Sequence, residues 1–243
     1  MGNEELEKRR ESRRRMFLEW EIEKDLPSKV GPYVLKRIDY PTKEDREKDR
    51  SIRNSRIYTA FAWEDADTGW QVKAIFDEET EDYMIKMDLK LVSMTQVEAI
   101  TGDFALFKKY VAELTPRAIE KNLIDLDKKS VLLNKKGFMK WDYKDSLPET
   151  IGHYKRIIRP TSPLHGLNGS YIIGAYECKE KNIGALFFYN VYRDEYYGEL
   201  RAGGIPVIVH QYDSKTVEEF EENLKKNLER DLEYLYNNPE VDD

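Results

Sequence analysis

The chain has 243 residues, 36% of them charged, with a formal net charge of -7 and acidic and basic residues interspersed. This balance describes a soluble surface and disfavours duplex nucleic acid, whose recognition normally needs a basic face. A single cysteine, Cys178, rules out an intramolecular disulfide and a cysteine-based structural zinc site, and no run is long and apolar enough to span a membrane.

The first 25 residues read as a charged, amphipathic helical segment. Lys8-Arg9-Arg10 and Arg13-Arg14-Arg15 form a basic cluster. Glu4 with Lys8, Glu5 with Arg9 and Glu11 with Arg15 are spaced four apart, which describes a solvated helix laced with ion pairs. Met1-Gly2 resembles the start of a myristoylation signal, but Leu6 stands where Ser or Thr is wanted.

Residues 26–124 read as a first β-meander plus helix. Alternation at Ile57, Thr59, Phe61 and Trp63, then at Trp70, Val72, Ala74 and Phe76, then at Tyr83, Ile85, Met87, Leu89 and Leu91, predicts a one-sided antiparallel meander. The turns Glu64-Asp65-Asp67 and 77–82 are acidic, and hairpin geometry places them at opposite ends of their shared strand. They read as solvated turns. Phe104, Phe107, Val111, Leu114 and Ala118 then recur at helical spacing, with a kink or new start expected at Thr115-Pro116.

Residues 125–146 read as a linker and lead-in, and 147–238 as a second meander plus helix. Strands are expected over 154–158, 171–177, 185–192, 197–202 and 205–211, with Gly203-Gly204 as a tight turn and Pro206 marking an edge. Thr216 and Glu219 form a capping box before the apolar stripe Val217, Phe220, Leu224, Leu228, Leu232 and Leu235.

These two halves echo one another. Phe17, Trp20, Leu26, Pro27, Val30, Gly31 and Tyr33 recur 121 positions later as Phe138, Trp141, Leu147, Pro148, Ile151, Gly152 and Tyr154. Lys36-Arg37-Ile38 and Pro41-Thr42 recur at an offset of 119, and Ala62-Trp63-Glu64 returns as Ala175-Tyr176-Glu177 at 113. Collinear matches whose offset slips only where loops would absorb it predict a duplication. The fold class expected is therefore α+β, with two tandem homologous units, each an antiparallel meander of four or five strands packed on a C-terminal helix.

Function is less legible. Arg46, Arg50 and Arg53 fall at helical spacing and, with Arg56, form a candidate anion-binding set, although the neighbouring acids nearly balance it and a polar loop is the simpler reading. The strand from Leu186 to Tyr192 is apolar on both faces, with Phe188 and Tyr192 to one side and Phe187 and Tyr189 to the other. One helix covers one face, so Phe188, Tyr192, Tyr196 and Tyr197 form a candidate partner-binding surface, weighed against ordinary strand composition. His153, His165, His210 and Cys178 lack the spacing of a metal site or a catalytic constellation, so no catalytic residue, metal or cofactor is expected.

The reading that results is a non-enzymatic cytoplasmic interaction protein, an adaptor, inhibitor or immunity-type module, with a protein partner and homo-oligomerisation as a further option. The alternatives are a small-ligand-binding protein or enzyme with a cleft between the repeats, and nucleic-acid binding through the N-terminal and 43–56 basic residues.

Overall fold

A computed structural model gives the structure of residues 3–125, 133–166 and 169–239. Helices α1 (Asn3–Leu18) and α2 (Ile22–Asp25) lead into strands β1 (Lys29–Val30) and β2 (Tyr33–Tyr40), helix α3 (Lys43–Lys48), strands β3 (Ile57–Asp65), β4 (Gln71–Asp77), β5 (Asp82–Asp88) and β6 (Ser93–Thr95), and helix α4 (Phe104–Ile119). Strands β7 (Thr150–Ile151), β8 (Tyr154–Ile158), β9 (Leu164–His165), β10 (Ser170–Cys178), β11 (Ile183–Asn190), β12 (Glu195–Ala202) and β13 (Ile205–Ser214) follow, and α5 (Val217–Asn237) comes last.

The fold is α+β, with two antiparallel sheets ordered β1-β2-β3-β4-β5-β6 and β13-β12-β11-β10-β8-β7, β9 pairing separately with β10. Six and seven strands exceed the four or five expected, because β1, β6, β7 and β9 are two or three residues long and leave no period-two trace in the sequence. The chain divides into two units, Met1–Leu89 with Ser93–Glu120, and Lys90–Val92 with Lys121–Asp243. The N-terminal segment falls within the first of these units. The linker expected over 125–146 falls partly outside the described residues, and its described remainder supplies Phe138 and Trp141 to the second core.

In the first unit, Phe17 and Trp20 from the lead-in and Phe104 and Phe107 from α4 pack on the sheet's aromatic face. Trp20 meets Phe61 edge-on at 5.4 Å, and Tyr83 stacks on Phe107 at 5.5 Å. Helix α4 starts where Asp103 accepts the amides of Ala105 and Leu106. Its buried stripe is Phe107, Val111, Thr115 and Ile119, whereas Leu114 is exposed, and Pro116 remains inside the helix instead of breaking it. Strand β3 also departs from a one-sided pattern: Tyr58, Ala60 and Ala62 are buried along with Thr59, Phe61 and Trp63. Small alanines mimic a polar-face alternation in the sequence while the backbone is covered on both sides.

The second unit uses the same device. Trp141 packs on Phe220 of α5 at 5.8 Å, Phe187 on the same ring at 5.9 Å, and Phe138 on Tyr189 at 5.0 Å. Thr216 caps α5 by accepting the Glu219 amide, and Phe220, Leu224, Leu228, Leu232 and Leu235 are buried as the spacing predicts. Trp20 and Trp141 are 5% and 9% exposed. Gly31 and Gly152 turn the two short hairpins at φ of 56° and 54°, the left-handed region that glycine adopts without a steric penalty. At Gly184 a side chain has no room, since a Cβ would lie 2.1 Å from the Tyr176 carbonyl and 2.5 Å from Leu91.

Candidate functional site

The basic cluster of α1 is not simply solvated. Glu4 and Lys8 pair at 2.8 Å as their spacing predicts, but Arg9 turns to Glu81, Arg14 reaches Glu78 at 3.0 Å, and Arg10 donates to the carbonyl of Glu79 at 3.1 Å. The acidic β4–β5 turn, expected to be solvated, is the receptor for these arginines. Arg9 and Arg13 hold the Glu81 carboxyl below the usual carboxylate range, the hydrogen bond from Arg9 being the larger cause. Both charge clusters are therefore structural.

Of the candidate anion-binding arginines, Arg46 donates to the carbonyls of Ile52 at 3.1 Å and Arg53 at 2.9 Å and lies over the Tyr58 ring. Arg56 pairs with Glu7 at 3.2 Å. Arg50 and Arg53 are exposed beyond α3, which Thr42 and Asp45 cap reciprocally. The four do not share one open face.

The aromatic set also divides. Tyr196 is buried on the α5 side, stacked on Phe220 at 5.2 Å, because cross-strand pairing sets it opposite Tyr189. Phe188 pairs with Tyr197 on the other side of the sheet, their rings 4.8 Å apart and 8° from parallel, and Phe188 is only 7% exposed. The Tyr197 hydroxyl lies 3.1 Å from that of Ser170. Tyr192 is beyond the end of β11 and 82% exposed.

The histidines are dispersed. His153 stacks on Tyr236 at 3.9 Å, His165 meets Tyr171 at 4.9 Å, and His210 faces Asp213 at 2.9 Å. Cys178 is buried in the second core. Among the described residues no group of three or more His, Cys, Asp or Glu is placed to hold a metal ion.

The strand whose edge position the sequence signalled only through Pro206 is β13, at one edge of the seven-stranded sheet. It forms a two-residue hairpin with β12, Ala202 facing Ile205 across Gly203-Gly204, and continues in register to Val209 opposite Gly198. In such a hairpin the closing pair bonds across the ladder and the next pair turns its backbone groups outward. Pro206, opposite Arg201, thus lacks an N–H where β12 needs none, and the N–H and C=O of Ile208 point away from the sheet. Val207 and Val209 pack on the core shared with α5, while Ile205 and Ile208 are 59% and 67% exposed.

Past Val209 the ladder slips, so that Ser214 faces Tyr196. There Tyr212 turns into the core and donates to Asp231 of α5 at 2.7 Å, and Gln211 donates to the same oxygen at 2.7 Å. Arg230 holds the other carboxylate oxygen at 2.8 Å. This network fixes the far end of β13 to α5, so the edge is presented on a rigid support.

No protein-family model, curated protein or solved structure matches the chain. The described helices include none long and apolar enough to cross a membrane.

Proposed function

We propose that this chain is a non-enzymatic protein-binding module that accepts an extended segment of a partner polypeptide as an added strand along β13. The observation that carries the reading is Ile208, two-thirds exposed on an edge strand with its backbone donor and acceptor directed outward. Natural proteins blunt such edges with charge, proline or bulges; β13 has Pro206 near its start and a register slip past Val209, but between them Val207, Ile208 and Val209 carry no charge. Strand addition draws affinity from main-chain hydrogen bonds and specificity from alternate side chains, so an uncharged, alternating apolar segment is the matching partner.

On the same reading the two units are a duplication, and the lone free thiol suits a reducing, cytoplasmic setting. Nucleic-acid binding through residues 43–56 gains less, since Arg46 and Arg56 are engaged within the protein.

A peptide-display selection against the purified protein tests the proposal. Selected peptides should slow amide exchange at Ile208 and lose binding to Ile208→Glu, a surface change that should alter stability by no more than about 0.5 kcal/mol. Peptides that bind Ile208→Glu undiminished would overturn it.

A further inference from the structure

The second unit contains a hollow of about 540 Å³, lined by Arg156, Arg159, Ser162 and Glu149 with the apolar side chains of Ile124 and Ile158 among its walls. Arg156 is held in place: it donates to the Leu147 carbonyl and its guanidinium lies 5.1 Å from the centre of the Tyr143 ring. Arg159 is exposed, its Nε 3.4 Å from the Ser162 hydroxyl. Neither arginine has a carboxylate within ion-pairing distance among the described residues. Glu149 lines the hollow but forms no ion pair with either.

The matching place in the first unit shows what has changed. Arg37, the counterpart of Arg156 in the sequence repeat, likewise donates to lead-in carbonyls, those of Leu18 and Trp20, and borders a smaller hollow of about 310 Å³. Asp39 stands 3.7 Å from Arg37 and balances it. In the second unit the position of Asp39 is taken by Ile158, and that of Tyr40 by Arg159. Glu149 stands where the first unit has Ser28, so the anion lost at Ile158 is offset by one gained at the rim, and the net change is the added cation Arg159, in a hollow that is larger.

We propose that this hollow binds a small oxyanionic molecule, with a phosphate or carboxylate group on the guanidiniums of Arg159 and Arg156 and an apolar part against the isoleucines. Guanidinium forks match the geometry of both oxyanions, and concave walls strengthen an unneutralised positive charge. Glu149 at the rim repels the same group and weakens binding. The site is separate from β13 and does not depend on the strand-accepting role.

Titration calorimetry with inorganic phosphate, pyrophosphate and citrate, at ionic strength held constant with sodium chloride, tests this and tells a phosphate site from a carboxylate one. At least one probe should bind saturably, about tenfold or more weakly to Arg159→Gln, as loss of a charge-assisted contact implies. Glu149→Gln should bind more tightly than the parent, a gain that damage to the fold would not produce. Binding should persist in Ile208→Glu, which separates this site from the edge strand. Absence of saturable binding by all three probes, or equal binding by Arg159→Gln, would overturn the proposal.

Discussion

Trp63 donates its indole N–H to the carbonyl of Pro27 at 3.1 Å, and the pair that the sequence repeat sets in the same places, Tyr176 and Pro148, is joined by a phenol donor at 2.5 Å. The members of each pair were matched at different offsets, 113 for the aromatics and 121 for the prolines. Different chemistry thus performs one task in each unit: a polar aromatic on the strand paired with the first long one ties down the chain that leads into the sheet.

This gives a first prediction. Tyr176 is fully buried and Tyr176→Phe leaves the Pro148 carbonyl without its donor, so the variant should lose about 1–3 kcal/mol of stability. Urea denaturation of the two proteins measures the difference. A loss well under 1 kcal/mol would mean that the carbonyl finds water instead.

A second prediction concerns Glu177, which is 6% exposed and receives no hydrogen bond on its carboxylate among the described residues. Burial pushes its carboxyl above the ordinary 4.5, with Lys179 and Lys90 partly opposing the shift. A raised folded value favours the protonated form, so its contribution to stability is complete below pH 4.5 and is lost as pH rises through the folded value. Glu177→Gln should therefore be more stable than the parent at pH 7, with the advantage shrinking toward pH 4. Denaturation midpoints across that range check it, and an advantage that does not change with pH would count against the assignment.

The longer strands and helices α4 and α5 were legible because burial imposes a period on the sequence. Thr216, Phe220 and Leu224 to Leu235 stand where the pattern puts them. What was not legible depends on contacts distant in sequence. Nothing local reveals that Arg9 pairs with Glu81 some seventy residues away, or that Arg14, which also meets Glu11 at 4.0 Å, reaches Glu78 sixty-four residues away. Likewise the outward-facing backbone of Ile208 follows from hydrogen-bond phase in a hairpin, and the charge of the Arg159 hollow from a comparison of two folded units. One signal was present and missed: with a tight β11–β12 hairpin, residue parity alone sets Tyr196 opposite Tyr189 and separates it from Phe188.

The last prediction tests the second apolar face of β11. Phe187 and Tyr189 belong to the core under α5, whereas Phe188 is on the opposite face and stacks on Tyr197. Were that face an open patch, Phe188→Ala would leave stability nearly unchanged and alter association alone. The ring is instead 7% exposed, and Leu186 and Ile172 are buried at 1% and 0%. Truncating a buried aromatic removes its transfer free energy and leaves a cavity, so Phe188→Ala should destabilise the protein by about 3–5 kcal/mol. Ile208→Glu, on the edge of the same sheet, should by contrast change stability little. Chemical denaturation of both variants, with sedimentation to follow their oligomeric state, distinguishes the two sites: a Phe188→Ala protein as stable as the parent would show that this face is not part of the folded core.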